Sequence, residues 1–361
     1  MERRAFIKSA AAVSAGTLAS TLAPNAFADG PLVKWHLASS FPKTLDTLYG
    51  AATVLSDRLN QISGGKFQVR VHAAGELVPG LQVLDAVQGG TVECGHSASY
   101  YYVGKNMAFA FDTALPFGLT ARQQNAWMYA GGGLALMREF FKQYNIVQFP
   151  GGNTGGQMGG WFRKEVKSLA DLRGLKMRIP GIGGQIMAKL GAVPQTLSGS
   201  DIYPSLERGA IDAAEWVGPY DDEKLGFQKI AKFYYYPGWW EGGAQLSFYV
   251  NAKKWASLPA VYKAAFEAAS AEANVKMLAE YDFKNPQSLM RLVKQGAQLR
   301  AFPKDVMEAG MKAAFALYDD EAKKNPAFAR IYGEWKRFRE MEIQWFKVAE
   351  ASYANFMYYA K

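Results

Sequence analysis

Cysteine is almost missing from this chain: Cys94 is the only one in 361 residues. No intrachain disulfide can form, so burial alone must hold the fold. Cys94 itself reads as a small core residue rather than a reactive thiol. Histidine is nearly as scarce: His36, His72 and His96 stand at no zinc-ligand spacing, which argues against zinc or thiol chemistry. Beyond the N-terminus, no stretch approaches the roughly 20 uninterrupted apolar residues that a membrane span requires. Basic tracts are lacking too. The 41 Lys and Arg against 32 Asp and Glu are scattered singly or in pairs, whereas a nucleic-acid binder concentrates them in a stripe. No nucleic-acid partner is expected, and the modest excess reads as a field favouring small anions.

Several enzyme signatures are missing or incomplete. No G-x-x-x-x-G-K-S/T phosphate cradle occurs. Gly181-Ile182-Gly183 begins like a dinucleotide loop, but Ile186 stands at the third glycine position and Pro180 precedes the motif. Gly95-His96-Ser97-Ala98-Ser99 resembles a nucleophile elbow except that Ser99 replaces the last glycine. An enzyme acting on a small carboxylate is the competing class. It needs a base of suitable pKa near its substrate, and no histidine or lysine is well placed for that.

What is present begins at the N-terminus. Glu2-Arg3-Arg4-Ala5-Phe6-Ile7-Lys8 leads into a short, weakly apolar stretch and then Ala26-Phe27-Ala28. A charged start, an apolar middle and an A-x-A end make a signal peptide over residues 1–28. The paired arginines specify the twin-arginine route, so a periplasmic location is expected. The alternative, an ordinary basic first helix, explains neither the A-x-A nor the shortage of core-forming residues. Without Arg3, Arg4, Lys8 and Glu2, 38 basic and 31 acidic residues remain.

The mature chain, about 330 residues, exceeds what one core usually organises. Its periodicity predicts strands at Val33–Ala38, Lys66–His72 and Thr91–Gly95, separated by helices through Leu48–Ile62 and Leu84–Gln88. Alternation of this kind argues an α/β lobe with a largely parallel sheet. The pattern restarts after the glycine-dense Gly151–Gly160, with strands at Lys176–Ile179 and Ile211–Trp216. Phe248–Val250 reads as a return to the first lobe, making the hinge multi-stranded. We therefore expect a two-domain α/β periplasmic binding protein fold. Domain I covers 31–152 plus about 241–285, domain II covers 153–240 plus about 286–327, and a long C-terminal helix covers 328–361. In that helix Phe328, Ile331, Trp335, Phe338, Trp345, Val348 and Phe356 recur at helical spacing. The stripe fits either packing within the chain or docking on a second subunit.

Strand ends in α/β lobes are where ligands bind. Arg178 stands near such an end, beside Pro180. Its planar fork matches a carboxylate, although a salt bridge to a surface acid is the ordinary alternative. Glu215-Trp216 ends a second strand, and Glu241 closes an aromatic run from Tyr234. Two carboxylates in such surroundings need compensation. They can pair with Arg or Lys, share a proton, or bind a cation with Gln157 and a backbone carbonyl, an all-oxygen set suited to a hard ion.

The runs GGNTGGQMGGWFRKEV (151–166), GLKMRIPGIGG (174–184), LERGAIDAAEWVGPYDD (206–222), YYYPGWWE (234–241) and SASYYYVGK (97–105) resemble those of TRAP transporter solute-binding proteins, DctP-like, of the 2-oxo-acid subgroup. The resemblance spans essentially the whole mature chain. It implies a binding protein, not an enzyme, that captures a small 2-oxo monocarboxylate such as pyruvate for a TRAP membrane permease. Arg178 would grip the carboxylate, and Na+ would be held by Gln157, Glu215, the backbone oxygen of Trp216 and Glu241. Gln157 and Trp216 would also contact the ligand, with Tyr101 or Tyr102 lining the other side according to strand register. The alternative within the family is a 2-hydroxy acid such as lactate with Ca2+ in the same place. The subgroup also implies a homodimer built through the C-terminal helix.

Overall fold

The structure, a computed structural model, describes residues 30–360. The expected signal peptide lies outside the described residues. The strands are β1 (Val33–Ser39), β2 (Phe67–His72), β3 (Cys94–Ser97), β4 (Ile146–Asn153), β5 (Gly160–Phe162), β6 (Lys176–Arg178), β7 (Val193–Gln195), β8 (Ala213–Ala214), β9 (Phe233–Tyr236), β10 (Gln245–Asn251) and β11 (Gln298–Ala301). They form two sheets, in the orders β2-β1-β3-β10-β4 and β11-β9-β5-β8-β6-β7. This is a mixed α/β protein with one lobe around each sheet.

The expected parallel sheets each contain one reversed strand. In the first, β10 runs antiparallel to β3 and β4; in the second, β5 runs antiparallel to β8 and β9. These are the strands that the chain enters directly from a strand of the other sheet, whereas β11 is reached through a long helix and runs parallel to β9. Gly160 begins β5 opposite Tyr235, near the end of β9, and Gln245 begins β10 opposite Asn153, the end of β4. Both crossings thus join the C-terminal edges of the two sheets, and a strand entering at that edge must oppose its neighbours. The two crossings also bond to each other, through Thr154 N–H to Ala244 O (3.0 Å), Gln157 N–H to Glu241 O (3.2 Å) and Gly238 N–H to Gln157 O (2.9 Å). The hinge is therefore two paired segments.

Helix Leu48–Ile62 buries Leu48, Ala51, Ala52, Leu55 and Leu59, the face its period predicts. The strand expected over Thr91–Gly95 starts later, at Cys94. Thr91 N–H still bonds back to Ala86 O (2.9 Å) and finishes the preceding helix. A helix of 35 residues, Ala260–Lys294, continues through Pro286, although proline removes one helical hydrogen bond. Its N-terminal half packs Phe266 among Trp35, Phe149 and Phe248 of the first lobe. Farther along, Tyr281, Asn285 and Arg291 bond to Asp221, Tyr220 and Glu223 of the second. At about 1.5 Å per residue it is long enough to lie along both lobes.

The C-terminal helix runs Pro326–Phe346, passes through one π-helical segment (Lys347–Ala351) that its sequence period did not reveal, and ends at Tyr359. Phe328, Ile331 and Trp335 are buried within the chain, whereas Trp345, Val348, Tyr353 and Phe356 are exposed. Among the described residues, no helix is long and apolar enough to cross a membrane.

Candidate functional site

Arg178 ends β6, and the pairing of β6 with β8 sets Arg178 opposite Ala214. Glu215, one residue on, therefore reaches the same strand edge. The arginine is 1 % exposed. Its Nε–H donates to Leu197 O (3.1 Å), and its Nη1 donates to Glu215 O (2.9 Å) and to the Glu215 carboxylate. Trp216 lies under the guanidinium, 4.8 Å from the ring centre to Cζ. The salt bridge is thus made to a buried acid within the site, not to the surface acid that was the ordinary alternative. Glu215 takes one arm of the fork, and Nη2 stays buried without a hydrogen-bond partner among the described residues.

Glu215, Glu241 and Gln157 are all buried. Gln157 Nε2–H donates to Thr154 Oγ1 (3.1 Å), while its Oε1 has no partner, and the same holds for Glu215 Oε2. Burial pushes Glu215 up to about 7; Arg178 pulls it back and Asp222 adds to the rise. Glu241 is held well above the carboxylate range, first by burial and then by the neighbouring charge of Glu215. For Arg178, burial is the largest effect and works against the charge, yet Glu215, Tyr101, Tyr100 and Glu241 together outweigh it and the guanidinium stays protonated. One guanidinium thus stands against two carboxylates, and one more positive charge is needed for both to ionise.

The first lobe contributes through a turn. Ser99–Tyr102 forms a 3-10 helix at the end of β3, so strand register does not choose between the tyrosines. Tyr102 points back into the first lobe, where its hydroxyl bonds to Ser97 Oγ (2.9 Å) and accepts Leu84 N–H (3.1 Å). Tyr101 is half-buried; burial raises its phenol pKa and nearby Arg178 opposes the rise. Tyr100, which the sequence did not single out, donates its hydroxyl to Glu241 Oε2 at 3.5 Å. Three consecutive tyrosines carry no periodicity, so no local signal separated them. The turn is anchored from behind by Ser99 Oγ, which bonds to Tyr249 OH (2.6 Å) and to the buried Asp112.

A hard cation fits these residues. The buried unpartnered oxygens of Gln157 and Glu215 are the acceptors it prefers. Among the described residues no three His, Cys, Asp or Glu side chains converge on a metal position. A set of two carboxylates with an amide and a carbonyl suits an alkali or alkaline-earth ion rather than zinc.

Two α/β lobes joined by paired crossings, with a buried arginine and two carboxylates between the sheet edges, define a two-lobed solute-binding protein. Residues 38–325 match the DctP model, bacterial extracellular solute-binding protein family 7. The chain belongs to this family, the solute-binding proteins of TRAP transporters, which are not enzymes. A Nostoc protein named a monocarboxylate 2-oxoacid-binding periplasmic protein is 51 % identical over 360 residues, 99 % of each chain. A Bordetella bronchiseptica TRAP solute-binding protein is 55 % identical with a TM-score of 0.90, over 91 % of this chain and 98 % of that one. Its structure is a mixed-occupancy dimer with copurified calcium and picolinate in one active site. A Pseudoalteromonas atlantica relative, 40 % identical with a TM-score of 0.87 over 90 % and 98 % of the two chains, holds sodium and pyruvate.

Proposed function

We propose that this protein captures a small 2-oxo monocarboxylate such as pyruvate, together with Na+ or Ca2+, and delivers it to a TRAP permease. The observation that carries this reading is a set of buried polar atoms without hydrogen-bond partners among the described residues: one donor, Arg178 Nη2, and two acceptors, Gln157 Oε1 and Glu215 Oε2. Arg178 supplies the donor for the ligand carboxylate. Gln157, Glu215, the backbone oxygen of Trp216 and Glu241 hold the cation, with Tyr100 and Tyr101 closing the site from the first lobe. The cation, when bound, supplies positive charge that lets both glutamates ionise and attracts the carboxylate or 2-oxo oxygen of the ligand. Names and ligands of relatives at 40–55 % identity support the same ligand class.

Because ligand and cation touch both lobes, binding favours the closed arrangement over the open one. The moving bodies in this reading are 31–152 with 241–285 and 153–240 with 286–327. Export to the periplasm by the twin-arginine route follows from residues 1–28. The exposed Trp345, Phe356 and their neighbours fit a homodimer built through the C-terminal helix. The test is calorimetric titration with pyruvate, 2-oxobutyrate, lactate and a dicarboxylate, in Na+, in Ca2+ and in chelator. We expect cation-dependent binding of the 2-oxo acids. Tight binding of a sugar or amine with no response to any monocarboxylate would overturn the reading.

A further inference from the structure

Far from Arg178 in the sequence, one carboxylate joins three parts of the molecule. Asp46 lies in the first-lobe loop between β1 and helix Leu48–Ile62. It accepts a hydrogen bond from Tyr220 OH (2.9 Å) and pairs with Lys224, both on the second-lobe helix Pro219–Leu225. Lys284, on the helix that spans both lobes, lies 3.6 Å away. The two ammonium groups stand over the Tyr220 ring, at 4.1 and 4.8 Å from its centre. Lys284 also meets Glu280 at 2.7 Å, so the four charges cancel.

Both ends of this cluster are firmly seated. On the first-lobe side, Leu45 is fully buried and Thr47 nearly so. On the second-lobe side, Asp221 accepts from Tyr281 OH (2.7 Å), and Asp222 accepts from Trp161 Nε1–H (3.0 Å) and Tyr234 OH (2.7 Å). Helix Pro219–Leu225 follows Glu215 and Trp216 directly, so what holds Lys224 also holds that edge of the binding site.

We propose that Asp46, with Tyr220, Lys224 and Lys284, is an interlobe latch: a positioning device that sets the lifetime of the closed form without touching ligand or cation. It rests on the reading that the lobes close around a ligand. The latch forms only when the first-lobe loop and the second-lobe helix meet, so its contribution appears in dissociation rather than encounter. Lys43, three residues before Asp46, pairs with Glu76 (2.6 Å). Burial raises the Asp46 pKa, but Lys224 and Tyr220 pull it below the usual carboxylate range, so the latch stays charged at physiological pH. Its groups are 25–51 % exposed, so salt screens it.

The test compares wild type with Asp46→Asn and Lys224→Met. Stopped-flow tryptophan fluorescence follows pyruvate dissociation at low and high salt, with unfolding of the ligand-free protein measured alongside. Dissociation of each variant is expected to be about five- to tenfold faster at low salt, the equivalent of one or two exposed charge pairs. The association rate and the unfolding midpoint should be unchanged, and the rate difference should vanish at high salt. A dissociation rate within twofold of wild type at low salt overturns the latch, as does an effect that persists undiminished at high salt. Interlobe distance, read between spin labels at Asp57→Cys and Lys229→Cys with Cys94 buried, separates the two readings. If wild type binds no pyruvate, the proposed ligand fails. The latch is then read from the ligand-free distance distribution, in which Asp46→Asn should deplete the short-distance, closed fraction; an unchanged closed fraction overturns it.

Discussion

Asp112 in the first lobe and Glu215 in the second are both fully buried carboxylates pushed up to about 7, yet their surroundings are built differently. Asp112 accepts from Ser99 Oγ and from the amides of Gln148 and Gln245, so both of its oxygens are occupied. The polar atoms left over there are two neutral amide oxygens. At Glu215 one oxygen meets Arg178 and the other meets nothing, with a second carboxylate close by. Leaving a charged group short of partners costs far more than leaving a neutral one. The first cluster closes on itself and stiffens the turn that carries Tyr100 and Tyr101. The second is incomplete, and an incomplete buried charge cluster is what a ligand and a cation can complete.

That contrast can be broken most directly at Arg178. Arg178→Ala should lower pyruvate affinity by at least about 30-fold in calorimetry, since removing one member of a buried charge pair commonly costs about 2–5 kcal/mol. An affinity within tenfold of wild type would place the anchor elsewhere. Next, Glu215→Gln and Glu241→Gln should each weaken Ca2+ binding about ten- to a hundredfold, while Asp112→Asn should leave it within about threefold. Equal losses in all three would erase the distinction between a binding cluster and a structural one.

The pH dependence sharpens the comparison further. Glu215 must be ionised to hold a cation and sits near 7 in the ligand-free protein. Binding should therefore weaken as pH falls below about 7, by up to about tenfold per unit for one competing proton. Titrations between pH 5 and 8 should show that slope in wild type and a shallower one in Glu215→Gln, where only Glu241 still competes for a proton; a flat wild-type profile would contradict the assignment. The smallest effect concerns stability. The folded pKa of Asp112 lies above its unfolded value, so the folded state holds the proton more tightly. That stabilisation is complete below about pH 4 and is lost as pH rises through 7. Asp112→Asn cannot titrate. Between pH 5 and 8 its Tm in chelator should therefore gain a few degrees relative to wild type, and a parallel pair of pH curves would count against a buried titrating Asp112.

The lessons for sequence reading are specific to particular residues. Arg178, Glu215 and Trp216 were legible because strands end there, and Glu241 and Gln157 because they stand in the glycine-rich and aromatic crossings. The pairing of Arg178 with Glu215 was not legible, because it depends on β6 lying beside β8 with Arg178 opposite Ala214. Tyr100 was missed and Tyr102 weighed as a lining residue for a related reason. A run of identical side chains leaves direction to the backbone, and the backbone there is a 3-10 turn.

By itself the sequence determined the two-lobed α/β pattern and the family, and it offered the candidate site residues, because periodicity, strand ends and motif spacing are local properties of the chain. Only the tertiary structure decided which carboxylate occupies Arg178, which tyrosines face the cleft, why each sheet holds one reversed strand, and that Asp46 meets Lys224 across 178 residues. These depend on sheet order and on the approach of the lobes, which short-range pattern does not encode.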